Sequence, residues 1–254
     1  MYPSDLKDDQ WNAIEHYFER SDPRGAVSKH SKRVIVNAII YVIRTGVQWR
    51  MLPKDMPPWQ TVYNHFYRLQ ERGVWDQVLV DMNKVCRIQV DRNPNPSYAL
   101  IDAQSVKIQY RGNKRGFDGG KKIKGRKRHV CTGSMGHLLY VKVHSASIHD
   151  TIAGCDVAYQ AFRNYSSIRA FCADQGYRGT TKIFVEESLK MRIDITKKLS
   201  DQGFNVIPVR WVVERFFAWL GNFRRLAKDY ELLTSCSEQV ITIAAIIMLL
   251  NRHF

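Results

Sequence analysis

Two aspartates close short apolar runs: residues 98–101 lead into Asp102, and residues 168–173 lead into Asp174. If those runs are central strands of an open α/β sheet, both carboxylates stand at strand ends, where such sheets build their sites. Each acid is then either a metal ligand or the cap of the turn that follows. A third carboxylate, Glu214, falls in a helical pattern over 209–228. At about 100° per residue, Val212, Phe216, Trp219, Phe223 and Leu226 collect opposite Glu214, while Arg210, Gly221, Arg225 and Lys228 share its face. An ordinary pairing of Arg210 with Glu214 would contribute only a few tenths of a kcal/mol. One acid among three cations, beside a glycine that leaves room for approach, suits a phosphate and a metal better. Three carboxylates are what two divalent ions need, because hard Mg²⁺ prefers oxygen ligands, keeps several waters and bridges carboxylates to phosphate oxygens. Ions about 4 Å apart activate an attacking water or hydroxyl on one side and stabilise the leaving oxygen on the other. The chemistry indicated is metal-dependent attack on a phosphodiester.

Asp150 is a rival acid. It opens a helical pattern, so it reads first as an N-cap and second as support for the site. His144 and His149 lie near it without a cysteine partner and do not make a zinc site.

The elements that must position these groups change character along the chain. Residues 1–90 read as helices: Trp11, Ile14 and Phe18 recur at helical spacing behind Asp8 and Asp9, and a second helix starts after Ser31 and ends at Gly46. Pro53, Pro57 and Pro58 interrupt, then helices follow over 61–71 and 74–86, separated by Gly73. Helix, rigid turn and helix, with Arg50, Tyr63, His65, Tyr67 and Arg68 outside the apolar faces, is compatible with a helix-turn-helix reader of DNA and equally with a plain bundle. Residues 91–97, polar and proline-containing, read as a linker. Beyond them come the run at 98–101, a hairpin of strands 128–131 and 137–144, a helix over 150–162, the strand at 168–173, a helix near 181–190, a strand-like stretch at 191–197 and the long helix. Strands followed by alternating helices imply a helix-covered α/β sheet. Ser235 and Glu238 have capping-box spacing ahead of a buried helix at 240–250.

Composition narrows the classes. With 44% apolar and 11% aromatic residues in 254, the chain has material for a core and is no disordered basic tail. The apolar run at 240–250 is about half of the roughly 20 residues a membrane span needs. The opening residues show no signal segment, and five scattered cysteines without C-x-x-C spacing suggest reduced thiols, so the expected location is the cytoplasm. The net charge is +15, and residues 107–128 alone carry ten basic side chains against one acidic. With five glycines, that segment reads as a mobile loop that binds a polyphosphate backbone through Lys121, Lys122, Lys124, Arg126, Lys127 and Arg128.

Three blocks carry a resemblance to a known family. The first is the stretch 37–63, with Gly46, Gln48-Trp49-Arg50, Leu52-Pro53 and Pro57-Pro58-Trp59-Gln60-Thr61-Val62-Tyr63. The second is Ala173-Asp174-Gln175-Gly176-Tyr177-Arg178-Gly179, and the third is Arg210-Trp211-Val212-Val213-Glu214-Arg215-Phe216 with Arg224-Arg225-Leu226 behind it. Over nearly its whole length the chain resembles the DDE transposases of bacterial insertion sequences, specifically the insertion-sequence-five family. The resemblance implies a ribonuclease H-like catalytic core over 98–254 with a C-terminal packing helix, preceded by an N-terminal helical, helix-turn-helix-like DNA-binding domain over 1–90. It implies Asp102, Asp174 and Glu214 as catalytic metal ligands, Mg²⁺ or Mn²⁺ as cofactor with two ions, and cleavage at the terminal inverted repeats of a transposable element. Attack of the freed 3′-hydroxyl on target DNA would follow, with double-stranded DNA as partner, a homodimer joining two ends, and action at the bacterial nucleoid. Related families carry Tyr-x2-Arg-x3-Glu-x6-Lys; here Arg210 and Glu214 fit, but Ile207 and Gly221 stand at the outer positions, leaving Arg225 to grip the flanking phosphate, with Arg210 and Lys228 as further DNA-binding residues. Two alternatives remain: a nuclease of the same fold that cuts without joining, and an inactive transposase-derived DNA-binding protein.

Overall fold

The computed structural model describes residues 2–19, 29–109, 112–196 and 211–254. The early helices form where local start and stop signals lie. Helix α1 spans Asp8–Ile14 with Asp8 and Asp9 in its first turn, and a 3₁₀ turn over Glu15–Phe18 extends it. Helix α2, Lys32–Thr45, is capped by the Ser31 hydroxyl, which accepts from the Val34 N–H at 3.3 Å, and closed by Gly46 at φ 72°. That angle lies in the left-handed region glycine enters without a Cβ penalty. Helices α3, Trp59–Glu71, and α4, Val74–Ile88, follow, separated by Gly73 at φ 64°.

The second part is a six-stranded mixed sheet. Strand β1 is Tyr98–Lys107, β2 Gly116–Asp118, β3 Ile123–Gly133, β4 Leu138–Ser145, β5 Ala170–Ala173 and β6 Arg192–Ile195. The order is β2-β3-β1-β5-β6 with β4 also on β3; β1 pairs antiparallel with β3 and parallel with β5, which pairs parallel with β6. An antiparallel hairpin pair beside a parallel pair, with β1 central, is consistent with a ribonuclease H-like core. Helix α5, Asp150–Asn164, connects β4 to β5, and α6, Thr180–Ile183, continues as a π-helical turn over Phe184–Ser188 before β6.

Three local expectations are corrected. Strand β1 does not stop before Asp102 but runs on to Lys107, because Ala103, Ser105 and Val106 are buried and the whole stretch pairs with β3. The basic segment is largely ordered: β3 continues through Lys124, Arg126, Lys127 and Arg128, and β2 pairs with its first residues. The long helix ends early, since α7 spans Trp211–Leu220 and a turn at Gly221 and Asn222 leads to a 3₁₀ turn over Arg224–Leu226.

Helix α8, Thr234–His253, is the buried closing helix. It is long and apolar enough to cross a membrane, yet 78% of its apolar window is buried inside the molecule. Ser235 and Glu238 do not make a capping box, because the Glu238 carboxylate instead accepts the Val143 N–H at 2.8 Å on the edge strand β4. Two apolar layers sandwich the sheet. One packs Ala99, Ile101, Phe171 and Ala173 against α5. The other joins Leu100, Val130 and Cys172 to Val213 and Phe216 of α7, to α8 and to helices α1–α4, so the N-terminal helices share a core with the sheet.

Candidate active site

The β1–β5 register leads toward both aspartates. Tyr98 pairs with Ala170, Ala99 with Phe171 and Leu100 with Cys172, a constant offset of 72 (170 − 98). The bonded ladder ends there; the same offset continued by two residues would set Asp102 level with Asp174 (174 − 102 = 72). Neighbouring strands lie about 4.8 Å apart, and both residues follow the last bonded pair of two such strands. Alternation along a strand gives both the parity of Leu100 and Cys172, the face on which α7 packs. Both side chains are half-buried. The Asp102 carboxylate accepts the Ala103 N–H at 2.8 Å. Asp174 caps the 3₁₀ turn over Gln175–Tyr177 through the Gly176 N–H at 2.8 Å. A carboxylate has lone pairs to spare beyond one such bond, so capping and metal binding are compatible.

Glu214 is exposed on α7. Among the described residues no group of three or more His, Cys, Asp or Glu side chains is placed to hold one metal ion, so the three acids are not gathered into one set. Carboxylates on two adjoining strands are donors of the kind a hard divalent ion uses, since it binds through one or two carboxylates and completes its shell with water and phosphate oxygens.

A network without any signal in the sequence holds the Asp174 turn in place. Tyr177 is buried, and its hydroxyl lies 2.8 Å from His129 Nε2; His129 Nδ1 lies 3.2 Å from His144 Nε2, and His144 Nδ1 lies 3.0 Å from the Ser145 carbonyl. The carbonyl can only accept, which orders the chain: His144 donates to Ser145, His129 donates to His144, and Tyr177 donates to His129. Both histidines are then neutral, and burial holds His129 well below its ordinary value and lowers His144 too. The turn after Asp174 is thus tied to the middle of β3.

The basic residues divide sharply. Lys121, Lys122 and Lys124 are exposed, and the Lys121 ammonium donates to the Ala103 carbonyl at 2.9 Å, one residue from Asp102. Arg126 is fully buried and cannot reach a phosphate. Its guanidinium donates to Asp229 at 3.1 Å and to the carbonyls of Asn113, Glu231 and Leu232 at 2.7–2.8 Å. Lys127 is buried, bonded to Asp150 at 2.8 Å and to the Ile148 carbonyl at 3.0 Å. Asp150 is therefore the first residue of α5 and the partner of Lys127, while His149 takes the cap position. Arg128 is buried against the Lys228 carbonyl, and burial pushes its guanidinium down to about 10. Arg225 is buried and paired with Glu231 at 2.7 Å, off the Glu214 face because α7 ends before it. Lys228 is exposed, and its ammonium donates to Gln109 at 3.2 Å. Arg210 lies outside the described residues.

Comparison with known proteins agrees with this layout. Residues 6–79 match a transposase family of the IS4/5 group, and residues 94–249 match the transposase DDE domain. Among curated proteins, the chain is 25% identical to the uncharacterized protein y4sN of Sinorhizobium fredii over 46% of this chain and 87% of that one. It is 26% identical to an uncharacterized 16.2 kDa protein of insertion element IS402 from Burkholderia cepacia, over 44% of this chain and 78% of that one. No solved structure matches. The DDE-domain match covers more than half of the chain and contains Asp102 and Asp174, so the chain belongs to the DDE transposases, in the IS4/5 family.

Proposed function

We propose that the protein binds the terminal inverted repeats of an insertion sequence, cleaves DNA there with divalent metal, and joins the freed 3′-hydroxyls to target DNA. The observation that carries this reading is the transposase-domain match, supported by the parallel β1–β5 register that leads toward Asp102 and Asp174. Asp102 and Asp174 would hold Mg²⁺, with Mn²⁺ as substitute, and Glu214 is the third carboxylate, on a helix that packs on the same sheet face. Two such ions would polarise the scissile phosphate and lower the pKa of the attacking oxygen. The protein's own contribution is position. The Tyr177–His129–His144 chain fixes the turn that presents Asp174, and Lys121 holds positive charge beside Asp102. Lys122, Lys124 and Lys228 are exposed for DNA backbone, and Arg210 is proposed to grip phosphate from its place in the sequence, four residues before Glu214. The N-terminal helices would read the repeat as a helix-turn-helix-like unit. Two copies would act together at the nucleoid in the bacterial cytoplasm, because two ends are joined in one event.

The test supplies full-length protein with Mg²⁺, labelled DNA carrying the repeats that flank the gene, and a supercoiled target plasmid. Labelled DNA covalently joined to plasmid supports the proposal. Cut ends without joined product would make the protein a nuclease of the same fold. Binding with no cutting, identical in wild type and Asp174→Asn, would make it a DNA-binding derivative.

A further inference from the structure

On the α7 side of the molecule, helix ends and one turn enclose two adjacent cavities that share Arg44. One, ≈ 520 Å³, is lined by Arg44, Trp219, Asn222, Phe223, Asn251 and Arg252, with Met248 at its base. The other, ≈ 450 Å³, adds Ser4, Tyr41 and Arg224. Among the described residues, no carboxylate lines either one.

The charge here is uncompensated. Among the described residues, none of Arg44, Arg224 and Arg252 forms an ion pair with Asp or Glu, whereas the buried Arg126 and Arg225 each have one. Arg44 is half-buried, its Nε is shielded from solvent without a hydrogen-bond partner, and burial lowers its pKa. A guanidinium in that position costs stability unless an anion comes to meet it. The Ser4 hydroxyl, also buried and without a partner, lines the same space.

Arg44 and Arg252 are held by aromatic faces. Arg44 lies 6.0 Å from the Phe223 ring centroid and Arg252 lies 5.9 Å from that of Trp219. A ring face orders a guanidinium through its π-cloud and uses none of its N–H donors, so the fork stays available for a phosphate. Asn222 and Asn251 add neutral amide donors and acceptors. A row of pre-ordered arginines with no competing acid matches a repeated anion.

We infer that the Arg44–Arg224–Arg252 groove is a DNA-backbone binding surface, separate from the Lys121–Lys122–Lys124 hairpin. The choice of DNA as the anion rests on the transposase reading above; the uncompensated arginines do not. The test measures binding of fluorescein-labelled duplex DNA to the full chain by anisotropy, between about 50 and about 200 mM KCl, where binding to the phosphate backbone responds steeply to salt. Arg224→Gln with Arg252→Gln, both exposed side chains, should weaken binding at least tenfold and reduce the salt slope by about 2, since each phosphate left unneutralised lowers that slope by about 0.9. Arg44→Leu should also weaken binding while unfolding at no lower temperature than wild type, because it removes a half-buried charge that has no acidic partner. Wild-type affinity and slope in both variants overturn the inference and leave the transposase reading standing. Absence of DNA binding by wild type overturns both.

Discussion

Replacing Arg126 separates a structural role from a DNA-binding one. Its guanidinium is fully buried and ties β3 to the segment before α8 through Asp229 and the Glu231 and Leu232 carbonyls, to α8 through Ser237, and to the β1–β2 connection through the Asn113 carbonyl. In Arg126→Met the side chain keeps most of its bulk, but Asp229, itself only 3% exposed, loses its cation. Breaking a buried pair from one side costs about 3–5 kcal/mol, because the remaining charge stays buried without compensation. For a protein of this size that corresponds to a midpoint lowered by roughly 6–20 °C. The double variant Arg126→Met with Asp229→Leu should recover part of the loss, since it removes the stranded charge as well. The assay is urea and thermal unfolding of the full chain, followed by DNA titration at several salt concentrations. If Arg126→Met unfolds within about 0.5 kcal/mol of wild type and instead flattens the salt slope, the side chain faces DNA and the buried role given to it here is wrong.

Three further outcomes rest on the same structure. Burial lowers His129 and also His137, the latter to about 3, whereas the unfolded chain protonates histidine near pH 6.5; stability should be fully present above that value and fall by about 1.4 kcal/mol per pH unit per histidine as pH drops below it. The pH dependence of stability between about pH 8 and about pH 5 should therefore flatten by about one proton in His137→Gln, and an unchanged slope would contradict the burial of a neutral imidazole. Gly125→Ala would drive a Cβ into the Val106 carbonyl of the paired strand and should destabilise by about 1–3 kcal/mol in urea unfolding, with wild-type stability as the contrary result. Replacing Lys121, Lys122 and Lys124 with alanine should flatten the salt dependence of DNA binding without lowering the unfolding midpoint, because all three are exposed; an unchanged slope would remove the hairpin from the DNA surface.

What is legible in the amino-acid order is what neighbours decide. Ser31 and Gly46 bracket α2 as their capping chemistry requires, and Asp174 stands at the end of β5 because the apolar run before it is short and complete. Pairing partners distant in sequence decide the rest. The run from Lys124 to Arg128 looks like a solvated loop, yet Arg126, Lys127 and Arg128 lie between β1 and β4, where Asp229 meets Arg126 and Asp118 and Asp150 meet Lys127. Gly221 reads in the sequence as room for a substrate on a continuous helix. It instead follows the last residue of α7, where poor helix propensity lets the chain turn and carries Arg225 to Glu231. His129 and Tyr177 are 48 residues apart, and neither carries a spacing signal that would join them. The arginines of the second groove come from α2, the turn after α7 and the end of α8, so no run of charge marks them.

The proposed metal site is Asp102 on β1 and Asp174 just beyond the end of β5. Iron-directed backbone cleavage tests it most directly: Fe²⁺ is bound in place of Mg²⁺, radicals are generated with ascorbate and peroxide, and the peptide breaks are mapped. Cuts are expected next to Asp102 and Asp174, suppressed by excess Mg²⁺ and lost in Asp102→Asn, with a third cut near Glu214 if α7 completes the site. Cuts elsewhere that Mg²⁺ suppresses, or a pattern unchanged in Asp102→Asn, would contradict it.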